Sequence, residues 1–245
     1  MNHDRIDFIS SYCDGWCERC AFTARCSAFA CRIAIEMCGD PAEGIELAVG
    51  RPQPVDGDEQ RSEVSRVAEW EEGVVTPEEH TEFDRKEAAR DERIAATPLS
   101  QLAYAYTMQS HRWLDDRFEP LRAAADPILA EALDIVMHDS TLVTVKLHRA
   151  LDGRDRSRGG EEDDDDPVQN DWNGSAKIAL ISLERSEAAW RVIAQATSHD
   201  EAGSLTDAAR DLRRLTLEEF PRAMSFIRPG FDEPWRYAPP SPSPD

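Results

Sequence analysis

Residues Leu121 to Leu151 read LRAAADPILAEALDIVMHDSTLVTVKLHRAL. Within them Leu129, Leu133, Val136, Ser140, Val143, Leu147 and Leu151 recur every three or four residues, the period of one face of an α-helix. Ile135, Leu142 and Val145 add apolar side chains on a second face, so this helix is expected to run from Leu121 to Leu151 at the centre of its fold. Its neighbours follow the same period. Thr97-Pro98 is an N-cap followed by proline in the first turn, and it opens a helix that ends near Phe118. That helix carries Leu99, Leu102, Tyr106, Ser110, Trp113 and Arg117 on one side.

A third helix follows the capping-rich run Asn170-Asp171-Trp172-Asn173-Gly174-Ser175, with Ala176, Leu180, Leu183, Trp190 and Ala194 on its buried side. A fourth opens at Ser204-Leu205-Thr206-Asp207, a variant of the capping box, and buries Leu205, Ala208, Leu212 and Leu215. Pro221 is expected to kink or restart it, and Arg228-Pro229-Gly230 to stop it. No alternating strand pattern and no repeat period interrupts these elements. The expected fold is all-α: a helical bundle of about four main helices, with an N-terminal cysteine-rich metal-binding turn and disordered acidic segments.

The 245 residues divide by composition. Residues 1–40 form a cysteine-rich module, in which Ser27 is the expected cap of a short helix ending at Gly39. Residues 41–96 are rich in Glu, Asp, Arg and Pro, and are expected to be a poorly ordered linker with weak helices around Ser62–Glu72 and Pro77–Ile94. The bundle occupies 97–231, with a disordered loop at 153–170 that contains the acid run Glu161 to Asp166. That run lacks the glycine-punctuated ligand loop of a calcium site. Residues 232–245 end in a proline- and serine-rich tail, expected to be unstructured.

A formal net charge of −21 repels phosphate backbones and anionic lipid, so neither nucleic acid nor membrane is an expected partner. No run approaches the roughly 18 uninterrupted apolar residues of a membrane span. The first residues lack a basic flank leading into an apolar stretch, so no secretory signal is expected and the cytoplasm is the expected compartment. All six cysteines fall between Cys13 and Cys38, and in a reducing compartment such clustering points to metal before disulfides.

Cys13 to Cys26 read CDGWCERCAFTARC, a C-x3-C-x2-C-x5-C spacing. Thiolates are soft ligands, suited to iron–sulfur clusters, zinc and Cu(I). Zinc sites pair two C-x2-4-C hooks across a longer segment or include histidine, whereas here one C-x2-C hook lies between single cysteines, closer to compact ferredoxin runs. Cys13, Cys17, Cys20 and Cys26 are therefore the expected ligands of an iron–sulfur cluster of [4Fe–4S] type, with zinc as the alternative. Tyr12, Trp16 and Phe22 are placed to exclude water, and Arg19 and Arg25 to offset the charge of the centre. Such a centre is structural or passes single electrons, to a protein redox or interaction partner that the residues do not specify. Cys31 and Cys38, seven apart on one helical face, read better as core residues.

Cys13, Cys17 and Cys20 alone resemble the signature of radical S-adenosylmethionine enzymes. Against that stand Arg19 where those enzymes carry an aromatic residue, Cys26 as an available fourth ligand, and the lack of alternating strand–helix units. The motif Tyr12-Cys13-Asp14-x-Trp16-Cys17-Glu18-Arg19-Cys20-x-Phe22-Thr23-x-Arg25-Cys26 resembles the N-terminal motif of an uncharacterised family of bacterial proteins. Val145 to Leu151, Asn173 to Leu180 and Arg185-Ser186 resemble later segments of that family. The resemblance covers about half the chain and implies the cysteine module, without implying an activity.

Other constellations are weaker. No Glu-x-x-His pair exists for a di-iron carboxylate site. Asp134 and His138 are four apart and able to chelate, but the plainer expectation is a hydrogen-bonded histidine in the central helix. Lys177 and Glu184 share a helix face beside Arg185, which suggests either a polar pocket with His138 or an ordinary ion pair. No nucleophile elbow, P-loop or dinucleotide fingerprint occurs.

Overall fold

The structure is a computed structural model and describes residues 5–6, 12–50, 76–124, 126–160 and 166–232. Among them the chain forms eight α-helices and no strand. None of these helices is long and apolar enough to cross a membrane. Contacts divide the chain into two units, Met1–Asp7 with Thr23–Glu92, and Phe8–Phe22 with Arg93–Asp245.

The first unit holds α1 (Ser27–Cys38) and α2 (Pro41–Val49). The cap of α1 is Cys26, whose sulfur accepts the Phe29 amide, while Ser27 lies inside the helix and bonds the Ile6 carbonyl. Ser27 therefore does not cap as expected: the Ile6 carbonyl accepts both its amide and its hydroxyl. Gly39 turns the chain with φ 74°, and Asp40 caps α2 by accepting the Glu43 amide. The two helices touch at Gly44, where an added Cβ would lie 2.6 Å from the Ile35 backbone nitrogen.

Helix α3 (Pro77–Ala95) crosses the division after Glu92. Its start is a reciprocal capping box: Thr76 Oγ1 accepts the Glu79 amide and the Glu79 carboxylate accepts the Thr76 amide. Two regular helices thus stand in the segment 41–96 that composition marks as poorly ordered. Ion pairs three and four residues apart, such as Glu82 with Arg85, support a sequence with little apolar periodicity. The weak helix expected at Ser62–Glu72 lies outside the described residues.

The second unit is a bundle of α4 (Pro98–Asp115), the short α5 (Phe118–Arg122), α6 (Pro127–Arg158), α7 (Asp171–Thr197) and α8 (Asp200–Glu219). Every member of the α6 stripe from Leu129 to Leu151 is buried, and α6 packs against α4, α5 and α7. Trp190 is fully enclosed and donates its indole N–H to Tyr106 Oη at 3.0 Å. Of the expected second apolar face, Ile135 packs against the core and Leu142 is half-buried, whereas Val145 is 57% exposed. Asp139 and Lys146 of the same helix are buried.

Helix boundaries also differ from expectation. The central helix starts at Pro127, where Asp126 accepts the amides of Ile128 and Leu129. It continues seven residues beyond Leu151, through Gly153, which passes beneath Trp172. Arg156 pairs with Asp152, and Arg154 bonds the Glu219 carbonyl and covers the Phe220 ring, so the segment expected to begin a loop at 153 is held as helix. Asn170 alone caps α7, placing Asp171 to Ser175 inside it. Helix α8 begins at Asp200, one turn before the expected Ser204, and ends at Glu219 just before Pro221. The chain then makes a short 3-10 turn at Ala223–Ser225. Residues 161–165 and the tail from 233 lie outside the described residues.

Candidate functional site

The cysteine turn divides between the units: Cys13, Cys17 and Cys20 belong to the bundle unit, and Cys26 to the other. Residues 12–22 form a tight run. Gly15 takes φ 74°, where L side chains are strained, the Trp16 amide bonds Asp14 Oδ1, and Cys17–Arg19 make one 3-10 turn. This folding turns backbone amides toward sulfur. Gly15 N–H donates to Cys13 Sγ at 3.2 Å and Phe22 N–H to Cys20 Sγ at 3.4 Å. In the first unit Phe29 N–H donates to Cys26 Sγ at 3.4 Å. Cys13, Cys17 and Cys20 are partly exposed, and Cys26 is buried. Among the described residues no three His, Cys, Asp or Glu side chains are grouped so as to hold a metal ion.

Three sets of contacts anchor the turn on the bundle. Arg185 of α7 grips Asp139 of α6 with two hydrogen bonds, Nε to Oδ2 at 2.7 Å and Nη2 to Oδ1 at 2.5 Å, and reaches Asp14 Oδ2 at 3.3 Å. Burial disfavours the Arg185 charge, but the Asp139 and Asp14 carboxylates outweigh it and hold its pKa above the usual guanidinium value. His138 Nδ1 lies 2.9 Å from the same Asp139 carboxylate. Its ring stacks on Trp16 with centroids 4.3 Å apart and planes 12° from parallel. Arg19 lies 4.1 Å from the Trp16 centroid and pairs with Glu131 and Asp134.

The second set is aromatic. Tyr12 packs against Phe226 and Phe231, and Phe22 against Phe231 with centroids 4.6 Å apart. The segment carrying those phenylalanines is tied down by buried Lys177, whose Nζ lies 2.5 Å from both the Phe226 carbonyl and Asp232 Oδ2. Gln169 exchanges two hydrogen bonds with the Ile227 backbone. Gly174 gives the Phe226 ring room, since a Cβ there would lie 3.1 Å from it.

The third contact is electrostatic. Lys146, 6% exposed on α6, lies close enough to Cys13 that each alters the other's ionisation. Desolvation lowers the Lys146 pKa to about 8, with Cys13 opposing that shift. Desolvation also raises the Cys13 thiol, aided by Asp14 and opposed by the Gly15 amide and Lys146. Burial is the larger effect at Cys13, and the Lys146 charge acts against it.

Several expectations change. His138 follows the plainer expectation, a histidine hydrogen-bonded within the central helix, here to Asp139; Asp134 holds Arg19 and Arg122 and forms no chelating pair with it. Lys177 and Glu184 do not meet either. Lys177 is buried with Asp232, while Glu184 is exposed and faces Arg213 at 3.5 Å. His138, Lys177 and Glu184 thus do not line one pocket. Sequence reading passed over Asp139, Lys146 and the role of Arg185. A signal was present: Ala132, Asp139, Lys146 and Gly153 recur every seven residues beside the apolar stripe, and all four are buried. The segments 145–151, 173–180 and 185–186 supply Lys146, Gly174, Lys177 and Arg185, the groups that seat residues 12–22.

A shallow open groove of about 490 Å³ borders the turn, lined by Trp16, Arg19, Phe118, Arg122, Met137 and His138 together with Glu18 and Asp134. No protein-family model, curated protein or solved structure gives a significant match to the chain.

Proposed function

We propose that Cys13, Cys17, Cys20 and Cys26 bind one metal centre as thiolates, an iron–sulfur cluster of [4Fe–4S] type with a structural or one-electron role. The observation that carries this reading is the direction of backbone amides at three of the four sulfurs, from Gly15, Phe22 and Phe29. A neutral thiol is a weak acceptor and gains little from such a donor, whereas a thiolate on a metal is stabilised by it and its potential is tuned. Lys146 beside Cys13 supplies a positive charge against a centre of net negative charge. The place of Cys26 in the ligand set rests on its spacing after Cys20 in the sequence.

With four thiolates no iron is left open to a substrate, so the chain's residues hold and insulate the centre and perform no bond chemistry on it. Loading the centre draws partly exposed thiols toward a common point and releases their protons.

Anaerobic purification followed by iron, acid-labile sulfide and zinc analysis tests the reading. The expected result is a brown protein with iron and sulfide in equal amounts, and Cys17→Ser is expected to abolish the colour. A colourless protein with one zinc, which loses its fold on chelation, replaces the cluster with the zinc-stapled interaction module. Finding neither metal overturns the proposal.

A further inference from the structure

We infer that the cleft between α4 and α8 binds a small zwitterion, an α-amino acid with an apolar side chain. The cleft holds about 340 Å³ and opens where the last turn of α4 meets the first turns of α8, room enough for one such molecule. Its floor is apolar. Trp113 is 3% exposed and is braced edge-on by Trp190 with centroids 5.2 Å apart, and Leu205 of α8 is buried in the same lining. The indole N–H of Trp113 is itself buried and has no hydrogen-bond acceptor among the described residues. Buried donors are nearly always paired, so an orphan on a residue that lines a cleft points to an acceptor brought in by a ligand.

Charge selects the ligand. Four charged residues line the cleft: Arg112, Asp116, Arg117 and Glu201. Two of them satisfy each other, since Arg117 Nη2 bonds Glu201 Oε2 at 3.0 Å while its guanidinium lies 5.3 Å from the Trp113 centroid. The other two are spare. Arg112 and Asp116, one helical turn apart, form no ion pair with each other or with any other group among the described residues. One open cation beside one open anion matches a ligand that carries a charge of each sign. A lone carboxylate, phosphate or amine would face a like charge at one of the two. Four residues of helix rise about 6 Å, so both side chains reach the charged end of a single α-amino acid. Arg112 takes its carboxylate through parallel N–H donors, Asp116 takes its ammonium, and the apolar side chain lies on Trp113 and Leu205. The site uses none of the residues of the cysteine turn and stands whether or not the cysteines bind a metal.

The test titrates the full chain with L-phenylalanine and L-leucine by calorimetry, and follows the indole N–H signals in the NMR spectrum of isotope-labelled protein. Both amino acids are expected to bind saturably and to shift one indole signal, the one that is missing in Trp113→Phe. Hydrocinnamate, which lacks the ammonium, and phenethylamine, which lacks the carboxylate, should each bind about tenfold more weakly or worse, the factor for one lost charge-assisted hydrogen bond. Arg112→Gln and Asp116→Asn should weaken L-phenylalanine by a similar factor. Both residues are exposed, so thermal unfolding of these variants should match the wild type. The same neutralisations away from the cleft, Arg214→Gln and Asp211→Asn on α8, should leave binding unchanged. Absence of binding by both amino acids overturns the inference, as does equal binding of hydrocinnamate or of phenethylamine. Undiminished binding in Arg112→Gln or in Asp116→Asn overturns it as well.

Discussion

Arg185 and Asp139 form a forked ion pair around a carboxylate that solvent does not reach, 46 residues apart in sequence and joined across α6 and α7. The same guanidinium extends to Asp14, so the pair links the bundle interior to the cysteine turn. Arg185→Leu leaves Asp139 buried with only His138 beside it, and is expected to cost about 3 kcal/mol of bundle stability in urea unfolding. Replacing both residues, Arg185→Leu with Asp139→Leu, should recover much of that loss, because no charge then remains buried. Equal losses in the single and double variants would show that the pair itself is what stabilises.

Three glycines should respond differently to alanine. At Gly44 the added methyl meets the Ile35 backbone, which can yield only by separating α1 from α2, so the helix pair is expected to lose much of its protection in hydrogen exchange. At Gly174 the obstacle is the Phe226 ring, which can shift, and a cost of about 1–2 kcal/mol is expected. Gly203 lies inside α8 with nothing near its missing Cβ, and Gly203→Ala should stabilise the bundle by about 0.5–1 kcal/mol. Thermal unfolding of the two bundle variants would separate them.

Asp232 supplies an acid-sensitive latch. Burial opposes its charge, but Arg228 and Lys177 outweigh burial and hold its pKa well below the ordinary 3.8. Its stabilising contribution is therefore complete above pH 3.8 and is lost as pH falls through the lower folded value. Wild type should exceed Asp232→Asn in urea midpoint at pH 6, and the gap should narrow as the pH is taken below 3. A gap that stays constant over that range would refute the linkage.

Cys31 and Cys38 sit seven residues apart on α1 and are both partly buried. Cys31→Ser and Cys38→Ser are expected to leave metal content and the visible spectrum unchanged, with only a small loss of stability. Loss of iron in either variant would move the ligand set away from Cys13, Cys17, Cys20 and Cys26.

Much of the bundle was legible from residues alone. Leu133, Val136, Val143 and Leu147 were expected on one buried face and are fully enclosed, because helical periodicity is a local property that burial then obeys. Boundaries were less legible. Asp126 and Asn170 cap α6 and α7, but several neighbouring Asp, Asn and Ser residues offered the same chemistry. The charged helix α3 carried little apolar period, and its reciprocal Thr76–Glu79 box was the stronger sign.

By itself the sequence determined the helical character of the chain, the buried faces of the bundle and the crowding of thiols near one end. Each depends on residues within a few turns of one another. Only the tertiary structure decided that Arg185 would close on Asp139, that Lys177 would turn to Asp232 and not to Glu184, and that Cys26 would fall in a different unit from Cys13, Cys17 and Cys20. A charged side chain leaves water only where an opposite charge or a carbonyl awaits it, and that partner can lie anywhere in the chain.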